Sequence, residues 1–296
     1  MALNEPTARA LAAIERLDRA AAATALDECA SLNLTWSLFA DYAQACYGLL
    51  WGDREDALHN LHRDRGRSQP WLDAGSTAAG LFDAVEAELL MALGRAGQAG
   101  TLLESAADHP VLTAARTHFA LLTGEDQHAV QLAERALVRP DQRRPRMELR
   151  LVAALAQARL GLREQARTSL RHAAEGAHAT GALRAFALVP AGELAELATE
   201  VPEASALLQA EPLRSRTAVF PDRLATIELT ERERTILSLI EDGLNMQQMA
   251  AELYVSYNTI KTHMRGLYQK VDASSREQAL ANAYRLGLVP AVSTSS

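Results

Sequence analysis

The residues best equipped for chemistry lie together near the C-terminal end, in the stretch SYNTIKTHMRGLYQKV, Ser256–Val271. It holds the only lysines of the chain, Lys261 and Lys270, among 30 basic residues. At about 100° per helical residue, Asn258, Lys261, Thr262, Arg265 and Gln269 share one face, and Ile260, Met264, Leu267 and Val271 form an apolar stripe opposite them. Side chains of these polar types bond to base edges in a major groove: Lys and Arg reach guanine acceptors, and Asn and Gln suit adenine. Lys270, near the helix end, can reach a phosphate or answer the helix dipole. No acidic residue occurs between Ser256 and Lys270, although the chain carries a net charge of −7. The chemistry expected here is non-covalent recognition of an anionic polymer, with double-stranded DNA as the partner.

No other constellation competes with this one. His59 and His62 stand one helical turn apart with Asp64 nearby, but a loose pair on a charged helix is a poor metal site, and no metal is expected. No nucleophile–base–orienter set or paired-carboxylate motif stands out, so no catalytic residues and no enzyme activity are expected. The pattern G-x-x-x-x-G-K-[ST] is missing, as is any Gly-Lys pair, so no nucleotide cofactor is expected. Cys29 and Cys46 make neither a disulfide framework nor a metal motif; they read as small core residues, which suits a cytoplasmic protein. The apolar runs are far shorter than the roughly 20 residues a membrane span needs. Trp36, Trp51 and Trp71 read as core residues of the first repeats rather than the lining of a ligand groove.

The elements that must position the polar face are signalled by dense capping patterns. Thr230 with Glu233 opens a helix that Gly243 ends, and Asn245 with Gln248 opens a short second one. Ser256 caps the third, and Ser274 with Glu277 opens a fourth that ends at Gly287. Four short capped helices with tight turns, the middle two close together, describe a helix-turn-helix domain. Residues 229–296 carry as many acidic as basic side chains, so binding must come from where charges point.

Residues 229–288 resemble the DNA-binding domain of LuxR-type transcriptional regulators. The family's opening LTxRE corresponds to Leu229, Thr230, Arg232 and Glu233, and its S-x-x-T-V-K-x-H core to Ser256, Thr259, Ile260, Lys261 and His263. Its later signatures appear as Lys270–Val271 and Ser275–Arg276. The resemblance implies base-edge contacts from Lys261, Thr262 and Arg265, and backbone contacts near Thr259, Lys270 and Arg276. It also implies pairing of two copies on DNA through the fourth helix, with Gln278, Asn282 and Arg285 as the candidate surface. Met249 departs from the usual isoleucine and Met246 from a commoner polar residue, neither on the DNA face. Region 4 of sigma factors is a structural rival, but the fourth helix and the KTH sequence favour the LuxR type.

Ahead of this domain, residues 5–200 read as helix almost throughout: Ala, Leu, Arg and Glu dominate, with apolar positions at spacings of three and four and no alternating strand pattern. Gly52/Ala57, Gly94/Ala99, Gly124/Ala129 and Gly161/Ala166 repeat one motif at intervals of 42, 30 and 37 residues. Each glycine should turn the chain and each alanine let the next helix approach, as in stacked helical hairpins of about 34 residues. The segment 139–150, with Arg143, Arg144 and Arg146, reads as a solvated connection between hairpins. Pro202, Pro212 and Pro221 mark a break. The expected architecture is all-α: a tetratricopeptide-like solenoid over 1–205, a linker over 206–226, a four-helix domain over 227–290 and a tail over 291–296. The first part resembles, through residues 158–197, the helical-repeat region of MalT-like large regulators, but without their ATPase module.

Taken together, these features predict a sequence-specific DNA-binding transcriptional regulator, acting at promoter or operator DNA as a homodimer. RNA polymerase and an unknown protein or small-molecule effector at the repeats are further expected partners. The competing reading is a repeat scaffold whose last domain docks on protein.

Overall fold

The computed structural model describes residues 5–31, 38–68, 72–73, 75–138, 146–215, 218–224, 227, 229–286 and 288–289. Among them helix is the only regular element. Trp36, Trp71, Arg143, Arg144, Gly287 and the 291–296 tail lie outside the described residues. Backbone contacts group the chain through Leu224, apart from Arg95–Gln98, into one compact unit; Ala225 onward, with Arg95–Gln98, forms a second.

The first unit opens with α1 (Glu5–Glu15), α2 (Arg19–Ser31), α3 (Leu38–Trp51), α4 (Arg54–Ser68) and α5 (Thr77–Ala92). It continues with α6 (Ala96–Ser105), which belongs to this unit from Ala99 onward, α7 (Leu112–Thr123), α8 (Asp126–Val138), α9 (Arg146–Arg159) and α10 (Arg163–Thr180). Odd-numbered helices form a row in which α1 packs on α3, α3 on α5, α5 on α7 and α7 on α9. Against this row, α2 packs on α1, α4 on α3, α8 on α7 and α10 on α9, the stacked-hairpin arrangement the repeats predict. Ala57, Ala99, Ala129 and Ala166 are all buried, as the motif requires. Gly94, Gly124 and Gly161 turn the chain with φ of 73°, 86° and 77°. Gly52 does not share that conformation. The close approach at that repeat falls instead at Gly48, where an added Cβ would lie 2.5 Å from the Ala57 Cβ.

One side of the odd-numbered row is covered by α11 (Arg184–Ala187), which follows α10. Leu183 N donates to the Glu15 carbonyl at the end of α1, at 2.6 Å. Arg184 donates to Glu88 on α5 at 2.7 Å and to Glu148 on α9 at 2.8 Å, and it is 6 % exposed. Phe186 beside it is fully buried. Burial, partly offset by Arg184 and reinforced by Glu88, pushes the Glu148 carboxyl up to about 7. Burial likewise pushes the Cys46 thiol up to about 12, consistent with a structural cysteine. His118 on α7 is fully buried, and neither ring nitrogen has a hydrogen-bond partner among the described residues. Burial, reinforced by Arg184, lowers its pKa to about 3.

Structure persists through most of the segment expected as a linker. After α12 (Ala191–Ala198) come α13 (Pro202–Leu208) and α14 (Glu211–Arg214), with Leu213 buried. Val219, Phe220 and Leu224 are buried too, and the Phe220 ring lies 5.8 Å from that of His118. Arg54 donates to the Ala218 carbonyl at 3.2 Å, and Leu224 N donates to the Leu122 carbonyl at 2.9 Å. Pro202 and Pro212 set helix starts, because proline suits a first helical turn, while Pro221 lies in the non-helical stretch before Leu224. The first unit therefore runs to Leu224.

Of the weaker candidates, His62 bonds Glu86 at 2.9 Å, and Asp64 pairs with Arg63. Trp51 is half-buried against the core, its ring 5.2 Å from Tyr47. Cys29 and Cys46 are free and buried.

Candidate nucleic-acid interface

The second unit contains α15 (Glu231–Glu241), α16 (Met246–Glu252), α17 (Tyr257–Lys270) and α18 (Arg276–Arg285). Each start has a local cause. Thr230 and Glu233 make the reciprocal capping box, as do Asn245 and Gln248, and Ser256 accepts from Thr259 N at 3.1 Å. The fourth start falls one residue later than the sequence suggests: Ser275 is the cap, accepting from Gln278 N at 3.1 Å. Ser274 instead donates its backbone N–H and hydroxyl to Gln278 Oε1, at 2.9 and 2.8 Å.

One apolar cluster holds the four helices. Ile260, Met264, Leu267 and Val271, the stripe of α17, are buried with Ile236, Leu237 and Ile240 of α15, Met249 of α16 and Ala279 and Ala283 of α18. Met249 takes the core position of the usual isoleucine, and Met246 packs half-buried beside it.

With that stripe fixed inward, the opposite side of α17 faces solvent. Asn258, Lys261, Thr262, Arg265 and Gln269 are all exposed, and Thr259 is half-buried. Thr262 Oγ1 donates to the Asn258 carbonyl at 3.0 Å, and the Thr259 and Ser256 hydroxyls lie 2.8 Å apart. A helix of 14 residues is about 21 Å long and fits a groove about 12 Å wide, presenting two cations and three amide or hydroxyl side chains along it.

Other expected contacts are engaged within the domain. Lys270 Nζ donates to Glu233 Oε2 at 2.7 Å, and the Thr230 N–H and hydroxyl donate to the same oxygen, at 2.8 and 2.9 Å. Burial works to raise the Glu233 carboxyl, but the Lys270 and Thr230 hydrogen bonds prevail and hold it below the ordinary glutamate value. Arg276 donates to the carbonyls of Leu244 and, at 2.7 Å, Ile240, closing the end of α15. Of the proposed pairing surface, Gln278 holds Ser274, and Asn282 donates to the Val271 and Asp272 carbonyls at 2.9 Å. The side chain of Arg285 lies outside the described residues.

Sequence reasoning missed the Glu233–Lys270 pair because Glu233 is already accounted for by the capping box. The available signal was Gly266, a glycine inside a strong helix. A Cβ there would stand 3.2 Å from Glu233 Oε1, so the glycine marks where α15 crosses α17.

Comparison with known proteins agrees with this geometry. Residues 228–283 match the family of bacterial regulatory proteins described as the luxR family. Over 66 residues the chain is 46% identical to the HTH-type transcriptional regulator MalT of Yersinia enterocolitica. That match covers 22% of this chain and only 7% of the relative. No solved structure matches. With its capped helices, apolar stripe and family match, the C-terminal unit is a LuxR-type helix-turn-helix domain.

Proposed function

We propose that this protein is a sequence-specific DNA-binding transcriptional regulator whose helical-repeat unit receives a protein or small-molecule signal. The observation that carries the reading is the exposed face of α17, where Asn258, Lys261, Thr262, Arg265 and Gln269 stand opposite a buried stripe. In the MalT relative, a match of this domain belongs to a protein described as a transcriptional regulator. The base-edge contacts fall to Lys261, Thr262, Arg265, Asn258 and Gln269. Lys270 and Arg276 serve the backbone contact by fixing α17 and α18, and Thr259 serves it through the α17 cap.

Pairing on a two-fold site is part of the reading, because a neutral domain neutralises few phosphates per copy. Gln278 and Asn282 support the α17–α18 corner, so Arg285 and the rest of α18 carry the pairing surface in this proposal. The effector engages surfaces of the repeats away from α11, because Arg184 and Phe186 are buried against the odd-numbered row.

Selection of binding sites from random duplexes, followed by anisotropy titration across salt, tests the proposal. Recovery of a common site with affinity falling steeply with salt is the expected result. The neutral charge of 229–296 favours a second reading, in which the domain docks on protein. Salt-insensitive or absent binding to every duplex would support that reading and overturn the first.

A further inference from the structure

The turn between α16 and α17 contains a conformation that the rest of the chain reserves for other residues. Tyr254 has φ 53°, in the left-handed region that favours glycine. Its N–H donates to the Ala251 carbonyl at 3.3 Å, and Val255 N donates to the Ala250 carbonyl at 3.0 Å. The same pair of bonds closes helices at Gly124, Gly161 and Gly243, where a glycine takes the left-handed position. Among the described residues two others do so without glycine. Leu17, at φ 58°, gains burial, since it is 9 % exposed within the main core. Asp272, at φ 51°, is of a type that tolerates this region.

Tyr254 has neither justification, because it is 95% exposed and its ring buries nothing within the chain. Three residues on, Tyr257 opens α17 and is 43% exposed. Both hydroxyl-bearing rings therefore stand at the entry to the helix that carries the polar face. No acidic side chain lies between Glu252 and Asp272, while Lys261 and Arg265 are exposed along the same helix. An aromatic ring with a hydroxyl tip suits a surface that is apolar at one point and hydrogen-bonding at the next, and a sugar–phosphate backbone offers both.

We infer that Tyr254 and Tyr257 are backbone anchors for DNA, donating their hydroxyls to phosphates at the groove edge and laying their rings on deoxyribose. The inference rests on the reading of this domain as DNA-binding. The anchors are neutral, so they hold the register of α17 without selecting a base and without adding to the salt dependence.

The test uses the full chain, a duplex selected for tight binding, and an unrelated duplex of equal length. Tyr254→Gly removes the ring and relieves the left-handed conformation. It should leave the melting temperature of the domain unchanged or raised, and weaken binding to both duplexes by about tenfold. The ratio between the duplexes and the slope of affinity against salt should stay as in the parent. Tyr254→Phe and Tyr257→Phe should each recover only part of the parent affinity, because the ring remains and the hydroxyl is gone. Parent-like affinity of Tyr254→Gly on both duplexes overturns the inference while leaving the domain a DNA binder. Unchanged affinity with altered sedimentation of the free protein also overturns it, assigning the ring to contact between copies. A parent that binds neither duplex sinks the DNA-binding reading and the anchors with it, a result separable from the first two.

Discussion

Arg159 shows why this chain is built on arginine: it donates to the Leu121 carbonyl at 2.6 Å and to Asp126 and Glu193 at the same time. Arg65, shared between Asp83 and Glu86, and Arg184, shared between Glu88 and Glu148, repeat the pattern. A planar fork can serve several acceptors, and an ammonium group cannot do so with the same geometry. Lys261 and Lys270 answer different needs, one exposed on α17 and the other held by Glu233. Lys261→Ala and Arg265→Ala should each remove about 1–3 kcal/mol of discrimination at one base position with the domain's melting unchanged. Base-by-base competition titrations check this, and parent-like profiles would remove the residue from the readout face. Lys270→Ala should instead lower the melting temperature of the helix-turn-helix domain. The depressed Glu233 carboxyl contributes stability in full above the ordinary glutamate pKa, and that contribution is lost as pH falls through the depressed value. His118, lowered to about 3, is neutral in both states above its ordinary pKa; below that value the unfolded chain takes up the proton that the buried ring resists, so stability falls on acidification. His118→Leu should therefore flatten the acid side of the repeat unit's stability profile, and should stabilise it by up to about 2 kcal/mol, since no unpartnered imidazole stays buried. Thermal melts between neutral and acidic pH distinguish this from a lost packing contact, which would destabilise at every pH.

At the scale of elements, the segment 218–224 fastens onto the repeat unit by three buried side chains and two hydrogen bonds, one accepted by the Ala218 carbonyl and one donated by Leu224 N. Phe220→Ala should destabilise that unit by about 3 kcal/mol, and chemical denaturation of the full chain, read on the repeat unit's own transition, measures it. A loss below about 0.5 kcal/mol would mean the segment is merely laid against the surface. The sequence shows proline breaks there but not the docking. Leu213, Val219, Phe220 and Leu224 are scattered without a helical period, and the partners of Phe220 and Leu224, His118 and Leu122, stand about 100 residues earlier. The four-helix domain was legible almost to the residue, because capping boxes and the α17 stripe are local signals. Its fourth cap slipped by one, since both Ser274 and Ser275 carry a hydroxyl and only the geometry of the turn separates them. The stacked hairpins were legible from the glycine–alanine motif, but Gly48, Arg184 and Glu88 were not. Those residues matter through partners on other helices, which no local spacing reveals.

For the whole molecule, charge is divided unevenly: residues 1–228 carry the entire −7, and 229–296 are neutral. If the acidic unit restrains the DNA-binding domain by repulsion, the isolated module 225–296 should bind DNA more tightly than the intact chain at low salt. That advantage should shrink towards 0.2 M salt, where the Debye length is about 7 Å. If the repeats bring two copies together, the intact chain should bind more tightly at every salt concentration, by the gain from linked sites. Titrating both proteins over one salt series decides between them.

The scarcity of lysine has a consequence for anyone handling this protein. Apart from the α-amino group, Lys261 and Lys270 are the only primary amines among 296 residues, and both belong to one helix. An amine-directed acylating reagent is thus a footprinting reagent for α17, however crudely it is applied. Lys261 should acylate first, since Lys270 is tied to Glu233, and a bound duplex should shield it. Mass spectrometry of peptides, which separates the α-amine from the two lysines, then reads occupancy of α17, with the arginine-built repeats silent in the background.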